Sequence, residues 1–170
     1  MNETELVLKS KKGDIDSFCK LYDIYKKRLY NYACFKLNNL EDAEDAVQES
    51  ILIAFEQIHK LISPKAFSAW IFKILHCECC KYIKTQISQR NTDNIENYKN
   101  TISYYSESAF WREEIREALS ILKEGEKSIV LLAVIAGFNS KEISQITGDK
   151  PGNIRQILRR SLAKMKEYLS

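Results

Sequence analysis

The chain has 170 residues and a net charge of +3, with 45% hydrophobic residues, five glycines and two prolines. This composition can bury a core and excludes a polycation. The few turn-forming residues indicate an all-α protein, built either as one domain or as two small helical domains. An odd number of cysteines, five in all, argues against a closed disulfide framework.

The amino terminus carries Glu3 and Glu5 where a signal peptide would carry basic residues. The longest apolar run, residues 129–136, is far shorter than the roughly 20 residues that span a bilayer. We therefore expect a cytoplasmic protein that does not insert into a membrane and whose cysteines stay reduced.

The first half of the chain is predicted to contain four helices. Apolar residues recur at helical spacing over residues 15–37, and two asparagines then break the pattern. The next helix, predicted at about 41–59, carries an acidic stripe at spacings of three and four residues, formed by Asp42, Asp45 and Glu49. Such a stripe is either a solvated face or a docking surface for a basic partner.

The fourth helix, predicted at about residues 65–84, interleaves aromatic and cationic side chains, which include Phe67, Trp70, Phe72, Lys73, His76, Lys81, Tyr82 and Lys84. Such a surface can stack on exposed bases while it holds the nucleic acid backbone. Phe67 and Trp70 also fit a core stripe. We expect Trp70 to be mostly buried, and Phe72, Lys73 and the region near His76 to be more exposed.

The same helix contains the run His76-Cys77-Glu78-Cys79-Cys80. His76 and Cys80 lie one turn apart and can in principle share a metal. A second pair of ligands at suitable spacing is missing from the sequence, so we predict no metal and no cofactor. Reduced cysteines pack as small apolar residues, and a redox role for Cys77, Cys79 and Cys80 is left open.

Residues 85–106 lose the helical periodicity and become polar, which is typical of a linker. The predicted organisation is therefore a domain at 1–84, a linker at 85–106 and a second helical domain at 107–170. As a flexible coil, a linker of this length spans roughly 25 Å, and about 75 Å when fully extended.

The end of the chain has the pattern of a helix-turn-helix. Asn139 can cap a short helix with Glu142 reaching back, Gly148 can end that helix, and Pro151 can begin the next. The last helix has apolar residues at spacings of three and four: Ile154, Ile157, Leu158, Leu162, Met165 and Leu169. Residues 150–166 include six basic side chains and no acidic one. We predict that this helix reads DNA.

Polar side chains near the start of the last helix are of the types that reach base edges, and lysines further along suit phosphate contacts. The candidate DNA-binding residues are Lys150, Asn153, Arg155, Gln156, Arg159 and Arg160. A solvated face or a partner-binding helix is the alternative interpretation.

In this order, these features resemble the extracytoplasmic-function sigma factors of bacteria, a small class that contains only sigma regions 2 and 4. The matching residues are 42–49 (DAEDAVQE), 67–74 (FSAWIFKI), 142–148 (EISQITG) and 152–155 (GNIR). The resemblance covers about residues 12–84 and 108–168. The chain departs from the family at Cys77, where asparagine is usual, and at Lys81, where aspartate is common.

The resemblance implies a role for each segment. It implies that Asp42, Asp45, Gln48 and Glu49 dock on the clamp helices of the largest subunit of core RNA polymerase. It implies that the loop at 57–66 and the fourth helix open and read the −10 promoter element, through Phe67, Trp70, Phe72, Lys73, His76, Cys77 and Lys81. It also implies that the last helix reads the −35 element, and that an anti-sigma factor restrains the protein.

The predicted function is therefore that of an alternative sigma factor, which is not an enzyme. The sequence has no paired carboxylates with a histidine and no phosphate-binding loop. The main alternative is a two-domain helix-turn-helix regulator that binds operator DNA alone and does not replace a sigma factor.

Overall fold

A computed structural model describes residues 1–90 and 108–170, with side chains described for 1–88 and 113–170. These residues form eight α-helices and two short 3-10 turns, and they include no strand. The all-α prediction is confirmed. Residues 91–106 of the predicted linker lie outside the described residues.

The amino-terminal half contains four helices: α1 (Glu3–Lys11), α2 (Ile15–Leu37), α3 (Leu40–Gln57) and α4 (Phe67–Arg90). The two 3-10 turns, Ile58–Lys60 and Pro64–Ala66, join α3 to α4. Helix α2 packs against α1, α3 and α4, and α3 packs along α4. Their shared core includes the fully buried side chains of Leu21, Leu29, Tyr32, Ile71 and Leu75.

The carboxy-terminal half contains α5 (Ser108–Ser120), α6 (Glu124–Val134), α7 (Ser140–Thr147) and α8 (Pro151–Leu169). Helix α8 packs against the other three. Its Ile154 is fully buried, and it shares a core with Leu119, Ile129, Leu132 and Ile143. This half therefore closes around the helix that we predict to read DNA.

Two helix boundaries differ from the sequence expectation. Helix α4 continues past the predicted end at Lys84 to Arg90, so the first residues of the predicted linker are helical. The apolar run at residues 129–136 predicts a helix that begins at Ile129, whereas α6 begins five residues earlier, at Glu124. The Glu126 carboxylate accepts from the backbone N–H of Lys123 at 3.2 Å, and this contact stabilises the earlier start.

The buried face of α8 is narrower than the spacing of its apolar residues predicts. Leu162 and Leu169 were expected to face inward, but they are 40% and 50% exposed. The buried position belongs to Ser161, whose hydroxyl donates to Glu126 Oε2 at 3.2 Å. A buried hydroxyl with a hydrogen-bond partner costs little, so a polar residue can replace an apolar one here.

The two halves contact each other directly. Helix α4 packs against α7, and α2 packs against α6. Among the described residues, no helix has both the length and the apolar character needed to cross a membrane.

Candidate functional surfaces

The first candidate surface is the acidic face of α3. The helix begins at an asparagine cap, because Asn39 Oδ1 accepts from the backbone N–H of Asp42 at 3.0 Å. Asp45, Gln48 and Glu49 are exposed. Asp42 differs from them, since it is half-buried and its Oδ2 accepts from Gln86 Nε2 of α4 at 2.9 Å.

Sequence reasoning missed one residue of this surface. Leu52 is 60% exposed and follows Asp45 by seven residues, which places it on the same side of α3 as the carboxylates. Its position at helical spacing from the stripe was the signal that could have identified it. An exposed leucine about one turn beyond Glu49 adds an apolar side chain to a surface that is otherwise polar.

The predicted −10 residues do not lie on one face of α4. Phe67 is in the core of the amino-terminal half, where its ring centroid is 5.4 Å from that of Tyr25 and 5.9 Å from that of Trp70. Trp70 is half-buried beside it. Phe67 therefore supports the fold and cannot stack on a base in this arrangement.

Phe72 contradicts the expectation that it would be exposed. Its exposed fraction is 0%, and its ring lies edge-on to Phe138 of the carboxy-terminal half at 5.1 Å and to Tyr32 at 6.1 Å. The sequence could not predict this burial, because the neighbouring ring comes from a segment 66 residues further along the chain (138 − 72).

His76 and Cys80 lie on the same side of α4 as Phe72. His76 is half-buried, with Nδ1 at 2.9 Å from the Tyr32 hydroxyl and Nε2 at 3.7 Å from Cys80 Sγ. Burial, together with the nearby charge of Lys36, lowers the pKa of His76 to about 4. His76 is therefore neutral near pH 7. Across the described residues, no group of three or more potential ligands converges to hold a metal.

Besides the side of α4 that lies in the amino-terminal core and the side with Phe72 and His76, a third side of the helix faces solvent. Lys73, Cys77 and Lys81 follow one another at intervals of four residues, and all three are exposed. Lys81 Nζ lies 2.8 Å from Glu78 Oε1, in an ion pair whose lysine is largely in solvent. Glu78 is buried, so Lys81 provides a partner for a carboxylate that has little access to water.

The helix-turn-helix prediction is confirmed at the level of local geometry. Asn139 and Glu142 cap each other: Asn139 Oδ1 accepts from the Glu142 backbone N–H at 2.9 Å, and Glu142 Oε1 accepts from that of Asn139 at 3.1 Å. Gly148 ends α7 with φ of 86°, a left-handed conformation that favours glycine. Pro151 is the first residue of α8.

The candidate DNA-binding residues of α8 are all exposed: Lys150, Asn153, Arg155, Gln156, Arg159 and Arg160. Four of them, Arg155, Gln156, Arg159 and Arg160, line a groove of about 360 Å³. Arg155 Nη1 donates to Ser140 Oγ at 3.2 Å, which orients the guanidinium and leaves its other donors for a further partner.

Glu126 of α6 holds the middle of α8 in place. Its Oε2 accepts from Ser161 Oγ at 3.2 Å and from Lys164 Nζ at 3.3 Å. Burial acts to raise the pKa of Glu126, but the backbone N–H of Lys123, the Lys164 ammonium and the Ser161 hydroxyl together outweigh it, so the pKa is lowered. Glu126 is therefore ionised near neutral pH, and its ion pair with Lys164 helps to hold α8 against α6.

Family models match both halves of the chain. Residues 21–88 match Sigma-70 region 2, and residues 112–165 match Sigma-70 region 4. The two regions follow the order and positions of the acidic and aromatic helices and of the helix-turn-helix. This organisation defines a bacterial sigma factor of the sigma-70 family.

Individual relatives agree with these matches. The chain is 28% identical to the RNA polymerase sigma factor SigV of Bacillus subtilis over 149 residues, which cover 86% of this chain and 87% of SigV. It is 38% identical to the extracytoplasmic-function sigma factor SigW of the same species over 64 residues, 38% of this chain and 34% of SigW. The chain belongs to the extracytoplasmic-function sigma factors.

Solved structures agree on the fold. The sigma factor RpoE of Bartonella quintana, in complex with the anti-sigma factor NepR, matches with a TM-score of 0.80 at 19% identity, covering 91% of this chain and 98% of RpoE. CnrH, in complex with the cytosolic domain of CnrY, matches with a TM-score of 0.76 at 18% identity, covering 98% of this chain and 96% of CnrH. The protein is an alternative sigma factor, and the stand-alone regulator is not favoured.

Proposed function

We propose that this sigma factor divides its work among three helices. Helix α3 binds core RNA polymerase, α4 contacts the −10 element during melting, and α8 reads the −35 element. The observation that carries the proposal is the separation of charge: the exposed acidic face lies on α3 and the exposed basic start lies on α8. Opposite surfaces on different halves suit two different partners, a basic protein surface and DNA.

Asp45, Gln48 and Glu49 are the proposed contacts of α3 with the clamp helices of the largest polymerase subunit, with Asp42 beside them. Their exposure and their spacing on one side of the helix support this assignment. Leu52, beside Glu49 on the same side of the helix, adds an apolar side chain to these polar contacts. The half-buried Asp42 helps to position α3 on α4 through Gln86.

For the −10 element, the solvent-facing side of α4 is the accessible candidate. We assign backbone contacts to Lys73 and Lys81 and a position near the bases to Cys77, since all three are exposed. Trp70 is half-buried at the edge of this side. Phe72 and His76 can take part only after the carboxy-terminal half leaves α4, because both lie in the contact between the halves.

For the −35 element, α8 enters the major groove with its first turns. Arg155, Gln156 and Asn153 have the donors and acceptors that recognise base edges. Lys150, Arg159 and Arg160 are suited to phosphates on either side. Because several phosphates are neutralised, binding should weaken as the salt concentration rises.

We further propose that the protein acts in the cytoplasm, has no catalytic activity of its own and is restrained by an anti-sigma factor. The first two statements follow from the role of a sigma factor, which lends promoter specificity to the polymerase that performs the chemistry. The third is supported by the likeness in fold to RpoE, whose structure contains the anti-sigma factor NepR.

The deciding experiment is run-off transcription from pooled genomic promoters with bacterial core RNA polymerase, with and without this protein. New transcripts that require the protein, with start sites that share two upstream motifs, are the expected result. Absence of such transcripts, together with no co-elution with core polymerase, would contradict the proposal.

A further inference from the structure

Helix α1 precedes the residues that match Sigma-70 region 2, since that match begins at residue 21. The helix packs on α2 and on both 3-10 turns that join α3 to α4. Its inward-facing Leu6 and Val7 are buried. Because the two turns lie at the ends of the loop at residues 57–66, α1 supports this loop from both ends.

The 57–66 loop exposes an apolar side chain among cations. Ile62 is 94% exposed, more than any other large apolar side chain of the described residues, and the exposed Lys60 and Lys65 lie on either side of it in sequence. Residues 57–77 contain no acidic side chain. Such a surface suits DNA with unstacked bases, because the cations can hold phosphates while the apolar side chain contacts a base.

The backbone of the loop is fixed on both sides of Ile62. The Leu61 N–H donates to the Ile58 carbonyl at 3.0 Å, and the Ala66 N–H donates to the Ser63 carbonyl at 3.0 Å. Ile58 and Leu61 are buried, although their neighbour Ile62 is in solvent. The position of Ile62 therefore depends on the groups against which the two ends of the loop pack.

A series of contacts links the start of α1 to the end of the loop. The Tyr25 hydroxyl of α2 donates to the Glu3 carboxylate of α1. The Tyr25 ring centroid lies 5.4 Å from that of Phe67. The Phe67 N–H donates to the Pro64 carbonyl and closes the second 3-10 turn. The Arg28 guanidinium lies over the Tyr25 ring, 4.8 Å from its centroid.

Tyr25 is the central residue of this series. Its side chain is buried, and burial together with the hydrogen bond to Glu3 raises the pKa of Tyr25 to about 12. The hydroxyl is therefore protonated near pH 7 and donates to Glu3. Since a buried hydroxyl without an acceptor is unfavourable, this bond fixes the ring on which Phe67 packs.

We propose that α1 is a brace for the 57–66 loop. Glu3 is its positioning residue, and it acts on the loop through Tyr25 and Phe67. The brace holds Ile62 where it meets the opened −10 element. This role rests on the proposed sigma function, whereas the structural coupling between Glu3 and the loop does not. Glu3 needs no contact with DNA for this effect.

Hydrogen exchange of the free, full-length protein measures the brace without polymerase or DNA. Glu3→Ala removes the acceptor of the Tyr25 hydroxyl, so the N–H groups of Leu61 and Ala66 should exchange about two- to tenfold faster, the range for loss of one hydrogen bond. Tyr25→Phe keeps the ring and should give the same increase, and the double variant should exchange no faster than either single variant. The matched control is Glu5→Ala, which removes the other acidic side chain in the first turn of α1 and should leave the loop unchanged.

Promoter discrimination measures the role of the brace in transcription. Polymerase holoenzyme with each variant is compared on a promoter found by run-off transcription and on versions substituted in the −10 or the −35 element. Glu3→Ala and Tyr25→Phe should lower discrimination at the −10 element about two- to tenfold and leave that at the −35 element unchanged. A ratio between promoters does not depend on the fraction of folded protein, so general destabilisation cannot produce this pattern. Ile62→Ala should also lower −10 discrimination, and its combination with Glu3→Ala should give less than the product of the two effects.

The proposal is overturned if Glu3→Ala and Tyr25→Phe leave the exchange of the loop as in the wild type. It is also overturned if the loop exchanges faster while −10 discrimination stays intact. Absence of any promoter in run-off transcription would contradict the proposed function, and the exchange measurement would still decide whether α1 braces the loop.

Discussion

Helices α3 and α8 are both amphipathic, but their exposed sides carry opposite charges: that of α3 is acidic and that of α8 is basic. Helix α3 begins at the Asn39 cap, and α8 begins at Pro151 after the turn at Gly148. Each buries one narrow side and leaves the other in solvent. Residues 41–58 contain no basic side chain, whereas residues 150–166 contain no acidic one. Similar amphipathic helices can therefore serve different partners.

The opposite charges of α3 and α8 indicate which part of each helix determines the partner that it binds. The buried sides of α3 and α8 specify the fold, and we propose that the charge on the exposed sides selects the partner. Helix α4 lies between these cases, because one of its sides is in the core, one is in solvent and one is covered by the other half. The predictions below test whether the three helices act separately.

The largest effect should come from reversing the charge at Asp45. Asp45→Arg places a cation against a basic partner, and like charges at an interface cost several kcal/mol, so affinity for core polymerase should fall more than about 100-fold. Co-elution and fluorescence anisotropy measure this loss, and circular dichroism should report unchanged helix content. Glu117→Arg, an exposed charge reversal on α5, is the matched control. Normal binding by Asp45→Arg would reduce the stripe to a solvated face.

Acid should act on α4 through His76. Because burial lowers the pKa of His76 to about 4, the unfolded chain binds a proton more readily between pH 6.5 and 4. The free energy of unfolding contributed by neutral His76 is thus complete above pH 6.5 and is lost as the pH falls toward 4. The loss reaches about 3 kcal/mol. Denaturant unfolding of wild type and His76→Gln at several pH values measures this loss. The carboxylates titrate in both proteins, so the difference between the two pH profiles belongs to His76. Parallel pH profiles would remove His76 as the cause.

Arg155 tests whether α8 reads bases or only attracts DNA. Arg155→Ala should weaken −35 binding by about 1–3 kcal/mol and relax the preference at one position of the element. Lys166→Ala, further along the same helix, should weaken binding about equally for all sequences. Competition binding across −35 variants distinguishes the two. If the Arg155→Ala profile is unaltered in shape, this side chain does not contact a base.

The smallest effect is expected at Leu52. Leu52→Ala removes apolar surface from the acidic stripe without changing its charge, and it should weaken polymerase binding by about 1 kcal/mol. The salt dependence of binding should stay the same, whereas Asp45→Asn should reduce it. Unchanged affinity for Leu52→Ala would mean that charge alone defines the α3 surface.

Local features of the molecule were predictable from sequence. The Asn139–Glu142 cap, the turn at Gly148 and the start of α8 at Pro151 each depend on a few neighbouring residues, so their chemistry is visible in a short window. The same holds for the exposed stripe on α3. Periodicity was sufficient there because one side of the helix is apolar and the other charged.

Contacts between distant segments were not predictable. Lysine is normally an exposed residue, yet Lys36 and Lys127 are buried because carbonyl and carboxylate groups of remote segments surround them. The burial of Phe72 has the same origin, since its aromatic partner Phe138 belongs to the other half. Likewise, Ser161 rather than Leu162 is buried on the inner side of α8, because the Glu126 carboxylate of α6 accepts a hydrogen bond from its hydroxyl.

Glu126 holds α8 near its middle, through Ser161 and Lys164, so a small change at this contact would displace the start of the helix further than its middle. The fixed point lies near Ser161, and Lys150, at the start of α8, is 11 residues away (161 − 150), or about 16 Å at 1.5 Å per residue. A tilt of 10° about that point moves the start of the helix by roughly 3 Å, about the rise of one base pair. A substitution at Glu126, remote from any base, is therefore expected to shift which base pairs α8 reads, while the helix itself remains intact.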